Sequence, residues 1–300
     1  MVRVAGDRIP ASYRTCVRWD GFARFPARRQ NRAVPAAARP LILAYHAVSS
    51  TWDSPLAVTE EALEHQAAHL HRRGYRGLTM AEAERLRARG GLPPRSVVFT
   101  FDDGYRSTLR AADILARHGY AGTVFAVTAF PASGKHLSWP GIEHELTAAT
   151  AEQLEPLSWD DLAALRDRGW EVGSHTVTHA LLTAADDAAL AAELGDSRRA
   201  IADRLGDCAT VAYPYGVADA RVAAAAREAG YLAACTLTGA HVDDEPHRRP
   251  RVGMTSADTG PRLAAKLSPL GIAMRRSGAA RTVRRLRRRR DWIPAAGAAE

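Results

Sequence analysis

From Leu41 to Met254 the chain repeats one pattern: a short apolar run, a longer segment with helical spacing of its apolar positions, then another run. Leu41–Tyr45, Val97–Phe101, Ala121–Thr128, Trp170–Gly173, Cys208–Tyr213, Gly230–Thr236 and Arg249–Met254 read as strands, most of them buried. A brief further strand is expected around Tyr75–Leu78. Helical segments fall between them: Thr59–Arg73 stopping at Gly74, Ala81–Arg89, Ser107–His118 stopping at Gly119, Asp186–Leu205, and one ending at Ala229. Ser158, with Asp161 three residues on, has the form of a capping box opening another helix. Alternation at this short spacing implies parallel βαβ units. Seven or eight such units in about 220 residues fit a closed or nearly closed α/β barrel better than an open doubly wound sheet. The irregular stretch Ala129–Leu157 is expected to shape a groove rather than to pack the core.

Charge divides the chain differently. Residues 1–40 hold nine arginines against Asp7 and Asp20, and residues 271–300 hold nine against Asp291 and Glu300. Each end is +7, so a formal total of +8 leaves −6 on residues 41–270. The expected organisation is a basic, disordered segment over 1–40, a catalytic domain over 41–260 and an Arg-rich, optionally helical tail over 261–300. Arg275–Arg290 reads either as a solvated tail or as a basic amphipathic segment in peripheral contact with an anionic membrane surface. Nucleic acid is not expected as a partner, because no aromatic interleaving or recognised binding motif accompanies the arginines. No apolar run approaches the roughly 20 residues of a membrane span, and the first forty residues lack the apolar core of a secretory signal. A cytoplasmic location, including the inner membrane face, is the expectation. Cys16, Cys208 and Cys235 form no CxxC pair, so neither a disulfide framework nor a zinc knuckle is encoded. No glycine-rich phosphate loop follows any strand.

The chemistry concentrates at two strand ends. Val97–Tyr105, VVFTFDDGY, runs from an apolar strand straight into two carboxylates and a glycine. Adjacent strand residues point to opposite sides, so Asp102 and Asp103 can divide their work, one binding a metal and the other free as a base. Gly173–His179, GSHTVTH, sets two histidines four apart just past another strand. Imidazole suits zinc and similar ions, and one of the two aspartates would complete a three-ligand face with open positions. His65 and His69 share the spacing, but they lie mid-helix with no strand-end acid beside them and read as surface residues.

These segments resemble the polysaccharide deacetylases, the NodB-homology carbohydrate esterases of family 4. Thr100–Gly104, TFDDG, is similar to their first motif, and Ser174–His179, SHTVTH, to their second, H(S/T)xxH. Ala212–Gly216, AYPYG, resembles the third motif of the branch that deacetylates poly-β-1,6-N-acetylglucosamine. That branch opens with LxYHxV, matched by Leu43–Val48. Trp159–Leu162 and Gly169–Ser174 fit the approach to the second motif, and the likeness spans residues 41–255 in order.

The resemblance implies a distorted (β/α) barrel of about seven strands. It implies that Asp103, His175 and His179 hold one divalent ion, Zn2+ in the first instance, with Co2+, Ni2+ or Fe2+ as alternatives. It further implies Asp102 as general base, the backbone N–H of Tyr215 as oxyanion donor and His46 as general acid. The family's third motif usually carries an arginine before the proline, paired with the catalytic aspartate; here Val211-Ala212-Tyr213-Pro214 has none. Arg251, within Arg249–Val252, would fill that place from a late strand, against the alternative of a surface arginine. Trp139 and Trp159 would either stack on sugar or pack in the interior. The implied reaction is N-deacetylation of an N-acetylated sugar, polysaccharide or lipid-linked glycan. Cleavage of another amide or an O-acetyl ester, and a non-catalytic glycan-binding remnant, stand as alternatives.

Overall fold

A computed structural model describes residues 39–237 and 245–276 of the chain. The elements run β1 (Leu41–Tyr45), α1 (Glu60–Arg72), α2 (Met80–Ala88), β2 (Ser96–Phe101), α3 (Thr108–Ala116), β3 (Thr123–Ala126), α4 (Trp159–Asp167), β4 (Glu171–Ser174), α5 (Asp187–Leu205), β5 (Thr210–Ala212), α6 (Ala220–Glu228), β6 (Ala233–Leu237), β7 (Arg249–Gly253), α7 (Gly260–Leu267) and α8 (Pro269–Arg276). Each sequence-expected strand and helix is present, its ends shifted by no more than three residues. The expected capping box is formed: the Ser158 hydroxyl accepts the Asp161 N–H, and the Asp161 carboxylate accepts the Ser158 N–H. Thr79 and Glu82 form a second one at the start of α2.

Every neighbouring pair in the main sheet is parallel, and β1 pairs with both β2 and β7, which closes seven strands into a barrel. The registers Leu43↔Val252 on one side of β1 and Leu43↔Phe99 on the other fix the closure. The short strand Arg76–Gly77 joins the start of β2 outside the ring. Alternation along the strands separates two cores. Ile42, Val98, Phe125, Ala212 and Cys235 fill the barrel, plugged at its lower end by Met80 and Ala83 of α2. Leu41, Leu43, Tyr45, Val97, Phe99 and Phe101 face outward beneath the helices. Leu263 and Leu267 of α7 join that outer core, so close packing continues past residue 260.

The lower end of the barrel also holds a partly buried carboxylate. Glu171 accepts hydrogen bonds from the Ala81 N–H (2.8 Å), Thr123 Oγ1 (3.1 Å) and Thr210 Oγ1 (2.5 Å). The Ala81 N–H belongs to the first turn of α2, where the helix dipole favours an anion.

The segment between β3 and α4 lines a cavity, as expected, and packs as well, which was not expected. It carries two 3-10 turns and packs a small core of its own, with Leu137, Trp139, Ile142 and Leu154 against Trp52, Tyr105 and Val127. A long loop crossing the top of a barrel must bury some apolar surface to hold a shape at all. The basic segment over 1–38 and the arginines beyond 276 lie outside the described residues. Among the described residues no helix is long and apolar enough to cross a membrane.

Candidate functional site

The carboxyl ends of the parallel strands converge at the top of the barrel, and the residues singled out from sequence arrive there from different strands. His46 follows β1, Asp102 and Asp103 follow β2, His175 follows β4 and Tyr215 lies just beyond β5. Arg251 comes from within β7.

Local backbone geometry sets their directions. Five non-glycine residues among those described have left-handed backbones, and four are here: Asp103 (φ 72°), Thr176 (φ 69°), His179 (φ 64°) and Tyr215 (φ 58°). Such conformations cost about 1–3 kcal/mol each and persist where the surroundings enforce them. Gly104 (φ 78°) continues the turn after Asp103; a Cβ there would lie 3.3 Å from Ala126 Cα.

Asp103 Oδ1 lies 3.2 Å from His175 Nε2 and 3.4 Å from His179 Nε2, with all three side chains buried. The three ligating atoms fall within 4.8 Å of one another. His175 Nδ1 lies 2.7 Å from the Ala212 carbonyl oxygen. A carbonyl only accepts, so Nδ1 carries a proton and Nε2 is the nitrogen that faces Asp103. That contact is satisfied either by a proton on Nε2, which makes the ring an imidazolium, or by a cation held between the two atoms. Asp103 Oδ1 has no hydrogen-bond partner among the described residues despite its burial.

The electrostatics agree. Burial alone would depress His175, yet Asp103 and Asp102 raise its pKa overall, which marks the point as one that favours positive charge. Burial pushes His179 down to about 3, so its imidazole is neutral and free to ligate. Burial would raise Asp103, but His175, His46 and His179 together hold its carboxyl below the usual range. These residues fit a divalent ion of the imidazole-and-carboxylate class. His65 and His69 sit on α1, exposed and half-buried, and among the described residues no third ligand joins them.

Asp102 turns the other way, into an ion pair with Arg251. Nη1 donates to Asp102 Oδ1 (2.6 Å) and Nη2 to Oδ2 (2.7 Å), a bidentate contact with Arg251 fully buried. The guanidinium also donates to Thr100 Oγ1 (2.9 Å) and lies 5.6 Å over the Phe125 ring. Burial would raise the Asp102 carboxyl; the Arg251 charge outweighs it and holds the group far below the carboxylate range. Arg251 is therefore not a surface arginine; it meets Asp102 from within β7.

Trp139 stacks on His179 with centroids 4.2 Å apart, and the Tyr215 ring meets His179 edge-on at 4.7 Å. Trp139 thus packs against one of the two histidines. Trp159 lies on outer helix α4 beneath the Arg204 guanidinium, 4.5 Å from its ring centre. Phe125 was not distinguishable in sequence from ordinary strand residues, and Thr100, though inside the first motif, had no role assigned to it. Alternation places both on the inner side beside Asp102.

A family model for polysaccharide deacetylases matches residues 89–234. No curated protein matches the chain. Among solved structures, IcaB of Ammonifex degensii is 26% identical with a TM-score of 0.59, covering 75% of this chain and 95% of its own. The Streptococcus pyogenes deacetylase PplD, solved with acetate, shares the fold at 20% identity and a TM-score of 0.64, covering 77% of this chain and 98% of its own. A de-N-acetylase of Aggregatibacter actinomycetemcomitans does so at 18% and 0.62, covering 76% and 99%. Residues 89–234 thus match the polysaccharide deacetylase model in sequence, and about three quarters of the chain shares the fold of these solved structures.

Proposed function

We propose that this chain hydrolyses the N-acetyl group of an N-acetylhexosamine-containing glycan or glycoconjugate in a metal-dependent reaction, releasing acetate and a free amine. The observation that carries the reading is the buried Asp103–His175–His179 convergence, with Asp102 held ionised beside it. Asp103, His175 and His179 would hold a divalent ion, Zn2+ first among candidates. Such an ion lowers the pKa of a water and polarises the acetamide carbonyl.

Asp102 takes the proton of the attacking water. Arg251 occupies one lone pair on each Asp102 oxygen and leaves the others available. The ion pair keeps the base charged throughout the neutral range at some cost in basicity. The backbone N–H of Tyr215 donates to the oxygen that becomes negative when the carbonyl carbon turns tetrahedral. The left-handed turn at Tyr215 sets the direction of that N–H. His46, just past the strand that pairs with β2, gives its proton to the departing nitrogen, the C–N bond breaks, and acetate leaves. A cavity of about 610 Å³ lies between Phe130, Lys135, His136, Leu146 and Thr178, the residue before His179, and its size suits part of a glycan.

Elemental mass spectrometry of wild type, His175→Ala and Asp103→Ala tests the metal. About one divalent ion per chain, lost in both variants, is expected. Acetate and free amine are then measured together on N-acetylglucosamine oligomers. Acetate release without a new amine would replace N-deacetylation by ester cleavage, and no metal after reconstitution would sink the mechanism.

A further inference from the structure

We propose that Glu193, on the surface of α5, is a positioning residue that sets the geometry of the His175–His179 pair; the proposal rests on the metal reading above. Glu193 Oε2 accepts the backbone N–H groups of both Val177 (2.8 Å) and Thr178 (3.0 Å). Its Oε1 accepts the Thr178 hydroxyl (2.6 Å). One carboxylate thus gathers three donors from the two residues nearest His179 in the turn between the histidines.

That turn needs an external hold. Thr176 and His179 both have left-handed backbones, and neither is glycine. Val177 is half-buried and Thr178 exposed, so packing does not restrain them. Other supports come from the segment after β3, whose Thr128 and Ala129 N–H groups donate to the Thr176 (3.1 Å) and Val177 (3.0 Å) carbonyls, from Thr176 Oγ1, which accepts the His179 N–H (3.1 Å), and from the same helix. Thr176 N–H donates to Ser174 Oγ (3.0 Å), which bonds Ser197 Oγ (2.8 Å), and Ser197 Oγ also donates to the Glu193 carbonyl (2.6 Å). Helix α5 therefore grips the turn at two points, through a buried hydroxyl pair and through the Glu193 carboxylate. Bonds to a charged acceptor are the stronger kind. Groups that orient metal ligands from behind typically account for 10–100-fold in metal affinity.

The test is zinc affinity of the full chain by competition with a chromophoric chelator, alongside melting of the metal-free protein. Glu193→Ala should weaken zinc binding by about 10–100-fold. Glu193→Gln keeps an oxygen for the two N–H groups and should lose less than about fivefold. Glu193→Asp keeps the charge but withdraws it by one methylene, and should lose at least about tenfold. Asp186→Ala removes the N-cap of the same helix, where Asp186 Oδ1 accepts Ala189 N–H at 2.8 Å, and should lower the melting temperature while leaving zinc affinity intact. Wild-type affinity in Glu193→Ala or Glu193→Asp, or an equal loss in Asp186→Ala, would overturn the proposal while the metal site stood. Wild type that takes up no zinc would remove the metal reading and this proposal with it.

Discussion

The Arg251–Asp102 pair makes the sharpest stability prediction. Arg251→Met keeps the length of the side chain and removes the guanidinium. Three acceptors are touched by that group's terminal nitrogens: Thr100 Oγ1 and the two oxygens of Asp102. Thr100 Oγ1 keeps its own bond to the Leu43 carbonyl (2.7 Å). Asp102 keeps neither side-chain bond, and it is 2% exposed. An uncompensated buried charge costs about 3–5 kcal/mol, and part of that is recovered as Asp102 takes up a proton. In a chain of this size the corresponding fall in melting temperature is about 6–20 °C. Asp102→Asn alone should be costly for the converse reason, since it leaves the buried guanidinium facing a neutral amide. The double variant should be less destabilised than the sum of the singles, with a coupling of at least about 2 kcal/mol of favourable interaction removed only once. Urea denaturation of the four proteins measures this cycle. Additive singles, or an Arg251→Met loss below about 1 kcal/mol, would refute the view that the two charges hold each other in the barrel.

Two further perturbations probe the frame of the site. Gly216 (φ 65°) follows Tyr215, and a Cβ there would lie 2.5 Å from Leu237 Cβ and 2.7 Å from the Leu237 nitrogen. Gly216→Ala should therefore cost about 2–5 kcal/mol, from the left-handed backbone and the clash together. Gly90→Ala, with φ 67° and nothing within 4 Å of its Cβ, should cost only the backbone part; equal losses by urea denaturation would defeat the argument. Asp258, 1% exposed, accepts the Thr255 N–H (2.8 Å) and hydroxyl (2.9 Å) and pairs with Lys266 of α7. Burial would raise its carboxyl, but Lys266 and Thr255 hold it below the ordinary value. Near pH 4 the folded state then binds fewer protons at this group than the unfolded state, so its contribution is present above the unfolded pKa and lost as pH falls through the folded one. The stability gap between wild type and Asp258→Asn should be constant from pH 7 to about 5 and shrink below about 4. A gap independent of pH across urea titrations would show that Asp258 contributes shape rather than charge.

How much of this was legible in the sequence follows from what each residue depends on. The barrel was legible because alternation of strand and helix is a local property, written in runs such as Leu41–Tyr45 and Val97–Phe101. The metal-type residues were legible as side-chain types at strand ends. Arg251 was only half legible: its motif context pointed to Asp102, but the ring closure that carries β7 beside β1, and so across from Asp102, is a long-range fact. Glu193 was not legible at all. It reads as one acid on an Ala-rich helix, and its role exists only because α5 packs against the end of β4.

The left-handed backbones at Asp103, Thr176, His179 and Tyr215 explain why the last part could not be read forward. A chain that needs positive φ usually announces it with glycine, as it does at Gly104 and Gly216. At Asp103, His179 and Tyr215 the proposed chemistry uses the side chain or its backbone N–H, and at Thr176 the hydroxyl accepts the His179 N–H (3.1 Å), so glycine is excluded and the signal with it. The strain must then be met by partners remote in sequence: the Ala212 carbonyl on His175, Trp139 on His179, Glu193 on the turn between the two histidines. Those partners are ordinary residues in ordinary elements. What makes them part of the site is the conformation they enforce on someone else's side chain, and that is a property of the folded barrel rather than of any motif.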